Sequence, residues 1–292
     1  MLILDGKLLS HEIKTEIAKT VASQIDAGKN APHLAVVLVG NDGASLTYVE
    51  SIKRNTIEVG ILCSVYQFLD SISEKELLAA IDFINQDDEI HGCIVQLPLP
   101  RHIDKQKVIQ KIDPEKDVDC FHPENLGKLV LGEEAFLPAT PHAVMELLKR
   151  YEVETSGKNC VVVGRSNIVG KPLALLLAQN NVHADATVTI CHSKTQNLKE
   201  VCSQADILLV AIGKPEFITA EYVKKDAVVI DIGIHRVEDK TSEKGYKICG
   251  DVKYDEVSQK CKAITPVPGG VGSVTMACLL KNTLKAYLPK IK

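Results

Sequence analysis

Apolar positions along the chain fall into two kinds of pattern. Leu8, Leu9, Ile13, Ile17, Val21 and Ile25 recur at helical spacing and Gly28 follows as a stop, which predicts a helix over 8–27. The run HLAVVLV, 33–39, is continuously apolar, the pattern of a parallel strand buried on both faces. Gly40 to Gly43 then turns the chain into a helix from about 44 to 59, ended by Gly60. A strand follows over 61–69. The next helix, 73–85, opens with Ser73 and Glu76 spaced as a capping box. A third strand, 91–97, runs into Pro98 and Pro100. The first third thus reads α-β-α-β-α-β, a small parallel sheet with its own core.

Residues 101–137 are rich in Asp, Pro and Gly and read as a connecting region, followed by a helix over 141–151. Alternation then resumes. An apolar run from Cys160 to Val163 leads into glycines and a Leu/Ala-rich helix. Further strands are predicted at 186–191, 206–212 and 227–232, with a helix near 198–202. ITPVPGGVG, 264–272, reads as an irregular Pro/Gly loop before a final helix over about 274–287. The fold class expected is α/β. Two α/β domains flank a cleft, one over 1–140 joined by the C-terminal segment 272–292, the other a Rossmann-type domain over 141–271.

Composition narrows the partners. With 292 residues, 45% hydrophobic and 25% charged, the chain has room for two globular domains. A net charge of −4 without a basic block argues against nucleic acid or an anionic membrane. No run reaches membrane-spanning length and the N-terminus MLILDGKLLS lacks a signal-peptide layout, so a cytoplasmic protein is expected. The nine cysteines include no C-x-x-C pair and several sit in apolar runs. They read as reduced, buried thiols, and no metal site is expected.

The chemistry centres on NCVVVGRSNIVGKPLALLLA, 159–178. A strand, a glycine turn and a helix start form a phosphate cradle, because helix N-terminal N–H groups carry partial positive charge and glycine admits a diphosphate closely. The spacing is not G-x-G-x-x-G, and an ordinary βα turn has the same outline. At the end of the following strand stand Cys191, His192, Ser193 and Lys194, with no carboxylate to bind a ribose hydroxyl. Arg165 lies in the turn itself. A guanidinium, a hydroxyl and a lysine suit the 2′-phosphate of NADP; a solvated polar loop is the alternative.

Taken in order, LAVVLVGNDGAS, TYVES, GCIVQLPLP, KDVDCFHPENLGKL, GRSNIVGKPLALLL and ITPVPGGVG resemble the methylenetetrahydrofolate dehydrogenase/cyclohydrolase family over the whole chain. The resemblance implies NADP-dependent oxidation of methylenetetrahydrofolate to the methenyl form, hydrolysis of that cation to formyltetrahydrofolate in the same cleft, and a homodimer. Residue by residue, Tyr48 corresponds to the tyrosine lining the folate site and Gln96 to the glutamine assisting a catalytic lysine. Asp119 corresponds to the aspartate that holds the pterin, and its carboxylate can accept two parallel N–H bonds. Val95 and Leu97 flank Gln96, while Pro268, Gly269, Gly270, Val271 and Gly272 close the folate pocket. Gly164, Arg165, Ser166, Ser193 and Ile234 match cofactor-contacting positions, with His192 and Thr275 as further cofactor candidates.

The family pattern Y-V-x-x-K is broken here: Ile52 occupies the lysine position and Lys53 comes one residue late. Tyr48 and Ile52 share a helix face, whereas Lys53 is turned about 100° away. Hydride transfer depends mainly on positioning, but methenyl hydrolysis needs a titratable group. Dehydrogenase activity is therefore expected to survive with the cyclohydrolase impaired, Lys53 being the remaining catalytic candidate. A relative that binds folate and NADP with little or no turnover is the alternative. Cys120 replaces a family glycine beside Asp119, and Ser273 replaces a proline after PGGVG.

Overall fold

The computed structural model describes residues 1–239, 241–242 and 245–290. The last two residues of the expected segment 272–292 lie outside them. In chain order come β1 (Leu2–Ile3), α1 (Gly6–Asp26), β2 (His33–Val39), α2 (Gly43–Glu58), β3 (Leu62–Phe68), α3 (Glu74–Gln86) and β4 (Gly92–Val95). Next are α4 (Lys105–Lys111), α5 (Pro123–Leu131), α6 (Ala139–Arg150), β5 (Asn159–Val163), α7 (Gly170–Leu177), β6 (Thr187–Cys191) and α8 (Leu198–Cys202). The remainder is β7 (Ile207–Val210), β8 (Val228–Asp231), β9 (His235–Glu238), β10 (Tyr246–Cys249), α9 (Tyr254–Val257), β11 (Ala263–Ile264) and α10 (Val271–Tyr287).

The chain divides into two compact units, with the divisions falling inside α1, at the start of α6 and inside α10. One unit comprises Glu12–Ala139 and Met276–Lys292. Its sheet, ordered β3-β2-β4, is wholly parallel. The apolar runs explain this: every residue of β2 from Leu34 to Val39 is buried, as is all of β4. Leu77, Ile81 and Ile84 of α3 join Ala35, Val37, Val39, Cys93 and Val95 in one core. The capping box forms as the spacing predicts. The Ser73 hydroxyl accepts from Glu76 N–H while the Glu76 carboxylate accepts from Ser73 N–H.

The other unit comprises Met1–His11 and Thr140–Thr275. Its six-stranded sheet runs β1-β11-β8-β7-β5-β6, all parallel, beside a small antiparallel β9–β10 hairpin. The chain leaves β5 to one side for β6 and returns to the other for β7. That reversal is where α/β sheets open a ligand crevice at the carboxyl ends of their strands.

Three sequence expectations need correction. The stretch 101–137 holds two helices rather than a plain connection. Asp104 caps α4, and α5 has the signals of a helix in full: His122 as cap, Pro123 in the first turn, and Gly132 at φ 72° closing it. Only the middle of ITPVPGGVG is irregular, because Ile264 pairs in β11 and Val271 already begins α10. The third strand stops at Val95, so Gln96 and Leu97 lie just beyond its end. The short elements β1, β9, β10, β11 and α9 are two to four residues long, too brief for periodicity to register.

Candidate functional site

In the unit built on β2, β3 and β4, the candidates come from α2, the end of β4 and the segment after α4. Helix α2 starts where Asp42 accepts a bond from Ser45 N–H at 2.9 Å. Its buried stripe is Ser45, Val49, Ile52 and Thr56. Ile52 is fully buried, and Tyr48, one turn earlier, is 39% exposed. Lys53 is paired instead with Glu50 at 2.8 Å, with its side chain 42% exposed. Its electrostatic neighbours are Glu50 and Cys63, not Asp119. Its ammonium thus lies to the side of the Glu50 pair and away from the buried Ile52 face, for the angular reason the helix imposes.

Asp119 sits on a segment clamped from several directions. Lys116, 2% exposed, donates its ammonium to the carbonyls of Ile84, Asn85 and Asp87 at the end of α3, at 2.9, 2.8 and 2.7 Å. Cys93 N–H donates to Lys116 C=O, and Asp117 bridges to Cys93 beside β4. The buried Asp117 carboxylate accepts from Asn125 Nδ2, His122 N–H and Phe121 N–H at 2.9, 2.8 and 3.2 Å. Asn282 of α10 donates to the carbonyl of Val118 at 2.7 Å. Backbone on both sides of Asp119 is thereby fixed, and Cys120, at φ 59°, takes a left-handed turn of the kind glycine adopts at least cost. The Cys120 thiol donates to Phe136 C=O.

Asp119 itself accepts no hydrogen bond from any described residue, and the Tyr48 hydroxyl likewise has no partner among them. Desolvation, then the negative charge of Asp117, pushes the Asp119 carboxyl up to about 7. Desolvation, then the charge of Asp119, raises the Tyr48 phenol. Gln96 donates its amide N–H to Leu97 C=O at 2.7 Å. Val95 is 6% exposed at the strand end. Asp119 is half-buried and Tyr48 exposed, so both polar ends are open to a ligand while the backbone behind Asp119 is held in place.

In the second unit the crevice opens between β5 and β7. Gly164 has φ 136°, and a Cβ there would stand 2.3 Å from the Ala211 carbonyl oxygen. A Cβ on Gly170 would stand 2.1 Å from Gly164 O. Only glycine permits this turn. The Ser166 hydroxyl accepts from Val169 and Gly170 N–H, which pins the turn to α7. Arg165, Ser166, Asn167 and Ile168 are exposed, and their N–H groups have no partner among the described residues. Such a row of free donors beside glycine fits a diphosphate. Gly164→Ala should destabilise the protein by about 1–3 kcal/mol and weaken dinucleotide binding. Thermal unfolding checks this, and an unchanged Tm would contradict the steric reading.

Beyond β6, His192 N–H donates to the Thr195 hydroxyl and His192 Nδ1 accepts from Lys194 N–H, leaving Nε2 to carry the ring proton. Ser193 and Lys194 are exposed, and Ile234, after β8, is 65% exposed. The Thr275 hydroxyl donates to Val271 C=O within α10. In the Pro268–Gly272 stretch, Gly6 and Lys7 N–H both donate to Gly269 C=O, and a Cβ on Gly6 would meet Gly270 O at 2.0 Å.

Sequence reasoning missed the carboxylates that hold this crevice in shape. Asp251, fully buried, accepts from Ile212, Gly213 and Lys214 N–H and from His235 Nε2. Asp231 accepts from Gly233, Asp251 and Val252 N–H, and burial pushes its carboxyl up to about 6. Asp231 ends β8 and Asp251 follows β10, a weak hint, but their donors lie up to 39 residues away. Lys116, Asn125 and Asn282 were missed for the same reason.

Two family models match the chain. The tetrahydrofolate dehydrogenase/cyclohydrolase catalytic domain matches residues 4–119, and the NAD(P)-binding domain of the same family matches residues 138–290. The bifunctional protein FolD of Porphyromonas gingivalis is 54% identical over 284 residues, 97% of this chain and 96% of that one. The crystal structure of the bifunctional enzyme FolD from Campylobacter jejuni is 46% identical, superposes with a TM-score of 0.94 and covers 100% of both chains. The dehydrogenase-cyclohydrolase of Trypanosoma brucei, solved with NADP cofactor and inhibitor, is 37% identical with a TM-score of 0.91, covering 98% of this chain and 97% of that one.

Proposed function

Because the chain belongs to the tetrahydrofolate dehydrogenase/cyclohydrolase family, we propose that it oxidises methylenetetrahydrofolate with NADP and hydrolyses the methenyl product weakly or not at all. The observation that carries the second half is Ile52, fully buried at the family's lysine position, with Lys53 held by Glu50. In this reading Asp119 accepts the pterin's amino and ring N–H groups, Tyr48 lines the ring, and Gln96 faces the reacting carbon. The unit Glu12–Ala139 with Met276–Lys292 holds the folate, and the unit with Thr140–Thr275 holds the dinucleotide. Bound NADP supplies the hydride acceptor. The chain's own task is to fix the bridging carbon in place, which oxidation needs and an isoleucine does not prevent.

Hydrolysis is a different demand. Water must lose a proton as it adds to the methenyl carbon, and a ring nitrogen must gain one as the carbon–nitrogen bond breaks. Isoleucine can do neither, and Gln96 has no titratable group. One coupled assay tests the reading: NADP reduction with methylenetetrahydrofolate, followed by loss of the methenyl absorbance. Reduction with slow hydrolysis is expected. Hydrolysis at the pace of the oxidation would overturn it, and absence of any reduction would leave a protein that binds both ligands without turnover.

NADP is preferred over NAD in this proposal because the turn offers Arg165, unpaired among the described residues, and the β6 end offers Ser193 and Lys194 with no acidic residue between Cys191 and Thr195. Arg165→Ala should lower the NADP-to-NAD affinity ratio about tenfold or more, the scale of one charge-assisted phosphate contact. An unchanged ratio in a titration of both cofactors would refute the assignment. A homodimer is also proposed. Strand β6 ends the sheet with an unpaired edge, and Ile190 is 40% exposed on it. Light scattering should give twice the 31.8 kDa chain mass.

A further inference from the structure

The folate reading leaves one property of the site unaccounted for, namely its charge. Asp119 stands without a hydrogen-bond donor. Two residues back, Asp117 is 1% exposed and satisfied by three neutral donors, Asn125 and the N–H groups of Phe121 and His122, with the His122 imidazole as the neighbour able to oppose its charge. The lysines in the neighbourhood are committed elsewhere. Lys116 gives its protons to three carbonyls at the end of α3, and Lys53 pairs with Glu50. The position one turn beyond Tyr48 is Ile52, apolar and fully buried. The frame around Asp119 thus carries negative charge, and among the described residues no cation is paired with Asp119.

We infer that this site retains the methenyl cation: it binds 5,10-methenyl folate, positively charged at its one-carbon bridge, more tightly than the folates uncharged there and shields it from hydrolysis. The inference rests on the folate reading above. Its physical basis is the sign of the charges. The methenyl form bears a delocalised positive charge on N–C–N, whereas the methylene and formyl forms are neutral there. A lysine at position 52 would repel that charge; the isoleucine, one turn beyond the Tyr48 that senses Asp119, does not. In a partly desolvated site a unit charge several ångströms from a carboxylate is worth tenfold or more in affinity.

The same features slow the loss of the cation. Hydrolysis forms a carbon–oxygen bond from water to the methenyl carbon, breaks one carbon–nitrogen bond, and releases one proton overall. In the folate reading the Asp119 carboxylate is taken up by the pterin N–H groups, so it is not free to accept that proton, and negative charge in the frame disfavours hydroxide, which leaves the step little assistance. The bound cation therefore outlives the free one.

The test needs only the wild-type protein, without NADP. Methenyltetrahydrofolate is incubated in mildly alkaline buffer with and without excess protein, and its absorbance is followed. Competition by 5- or 10-formyltetrahydrofolate then gives relative affinities. Decay at least several-fold slower when bound, with about tenfold preference over the formyl forms, is expected. Bound decay as fast as free, or equal affinities, would overturn the retention proposal while leaving the folate reading intact. Binding of neither compound would overturn both. Ile52→Lys should abolish the preference and the protection, and Ile52→Met, which keeps the position apolar, should preserve both. Equal behaviour of the two variants would assign the effect to something other than charge.

Discussion

Ile52→Lys should raise the rate of methenyltetrahydrofolate hydrolysis by about 10²–10⁴-fold, the usual contribution of a positioned acid/base group. The residue lies on the buried stripe of α2 with Tyr48 one turn before it. A lysine there would start from the same Cα, and its flexible stem can follow the apolar surface that isoleucine now covers while the ammonium reaches toward the phenol. Burial of the ammonium lowers its affinity for a proton, which suits a group that must both take and give one. Oxidation of methylenetetrahydrofolate should change much less. Stopped-flow or steady-state absorbance of the methenyl form measures both half-reactions on one sample. If hydrolysis stayed at the wild-type rate in a folded Ile52→Lys protein, the missing ammonium would not be what limits it.

Asp119→Ala should raise KM for methylenetetrahydrofolate by roughly a hundredfold, with kcat less affected. Two N–H bonds to a charged acceptor are together worth about 3 kcal/mol, and each 1.4 kcal/mol is a factor of ten. The bonds hold the ring equally before and during hydride transfer, so their loss falls on binding. A pH profile gives an independent check. Desolvation and Asp117 push the Asp119 carboxyl up to about 7, so in the free protein it is protonated below that pH and loses one of its acceptor positions. KM should therefore rise as pH falls through 7 and level off above it. Asp117→Asn removes the neighbouring charge and should move the rise to lower pH. A profile that is flat from pH 6 to 8 would count against Asp119 as the pterin's anchor.

Much of the fold was legible because it is written locally. The continuous apolar runs of β2, β5 and β7 identify buried parallel strands, and the Ser73–Glu76 spacing identifies a helix start that the structure forms as expected. The helix rule that separates Tyr48 and Ile52 from Lys53 needs only 100° per residue, and Lys53 is indeed paired outward with Glu50. The glycines at 164 and 170 read as a turn, and the close approach of Ala211 O explains why no other residue serves at the first of them.

What the chain alone determined, then, is the alternation of elements, the glycine turn after β5 and the helix face that Tyr48 shares with Ile52 but not with Lys53. Each depends on residues a few positions apart, whose geometry is set by the backbone's own periodicity. The tertiary structure alone decided the strand order that puts the crevice between β5 and β7, the clamp of Lys116, Asn125 and Asn282 around Asp119, and the Asp231–Asp251 pair. Asn282 reaches Val118 across 164 residues and Asp251 reaches Ile212 across 39. A buried polar group must find its partner wherever folding brings one, and its own sequence neighbourhood carries no record of which residue that is.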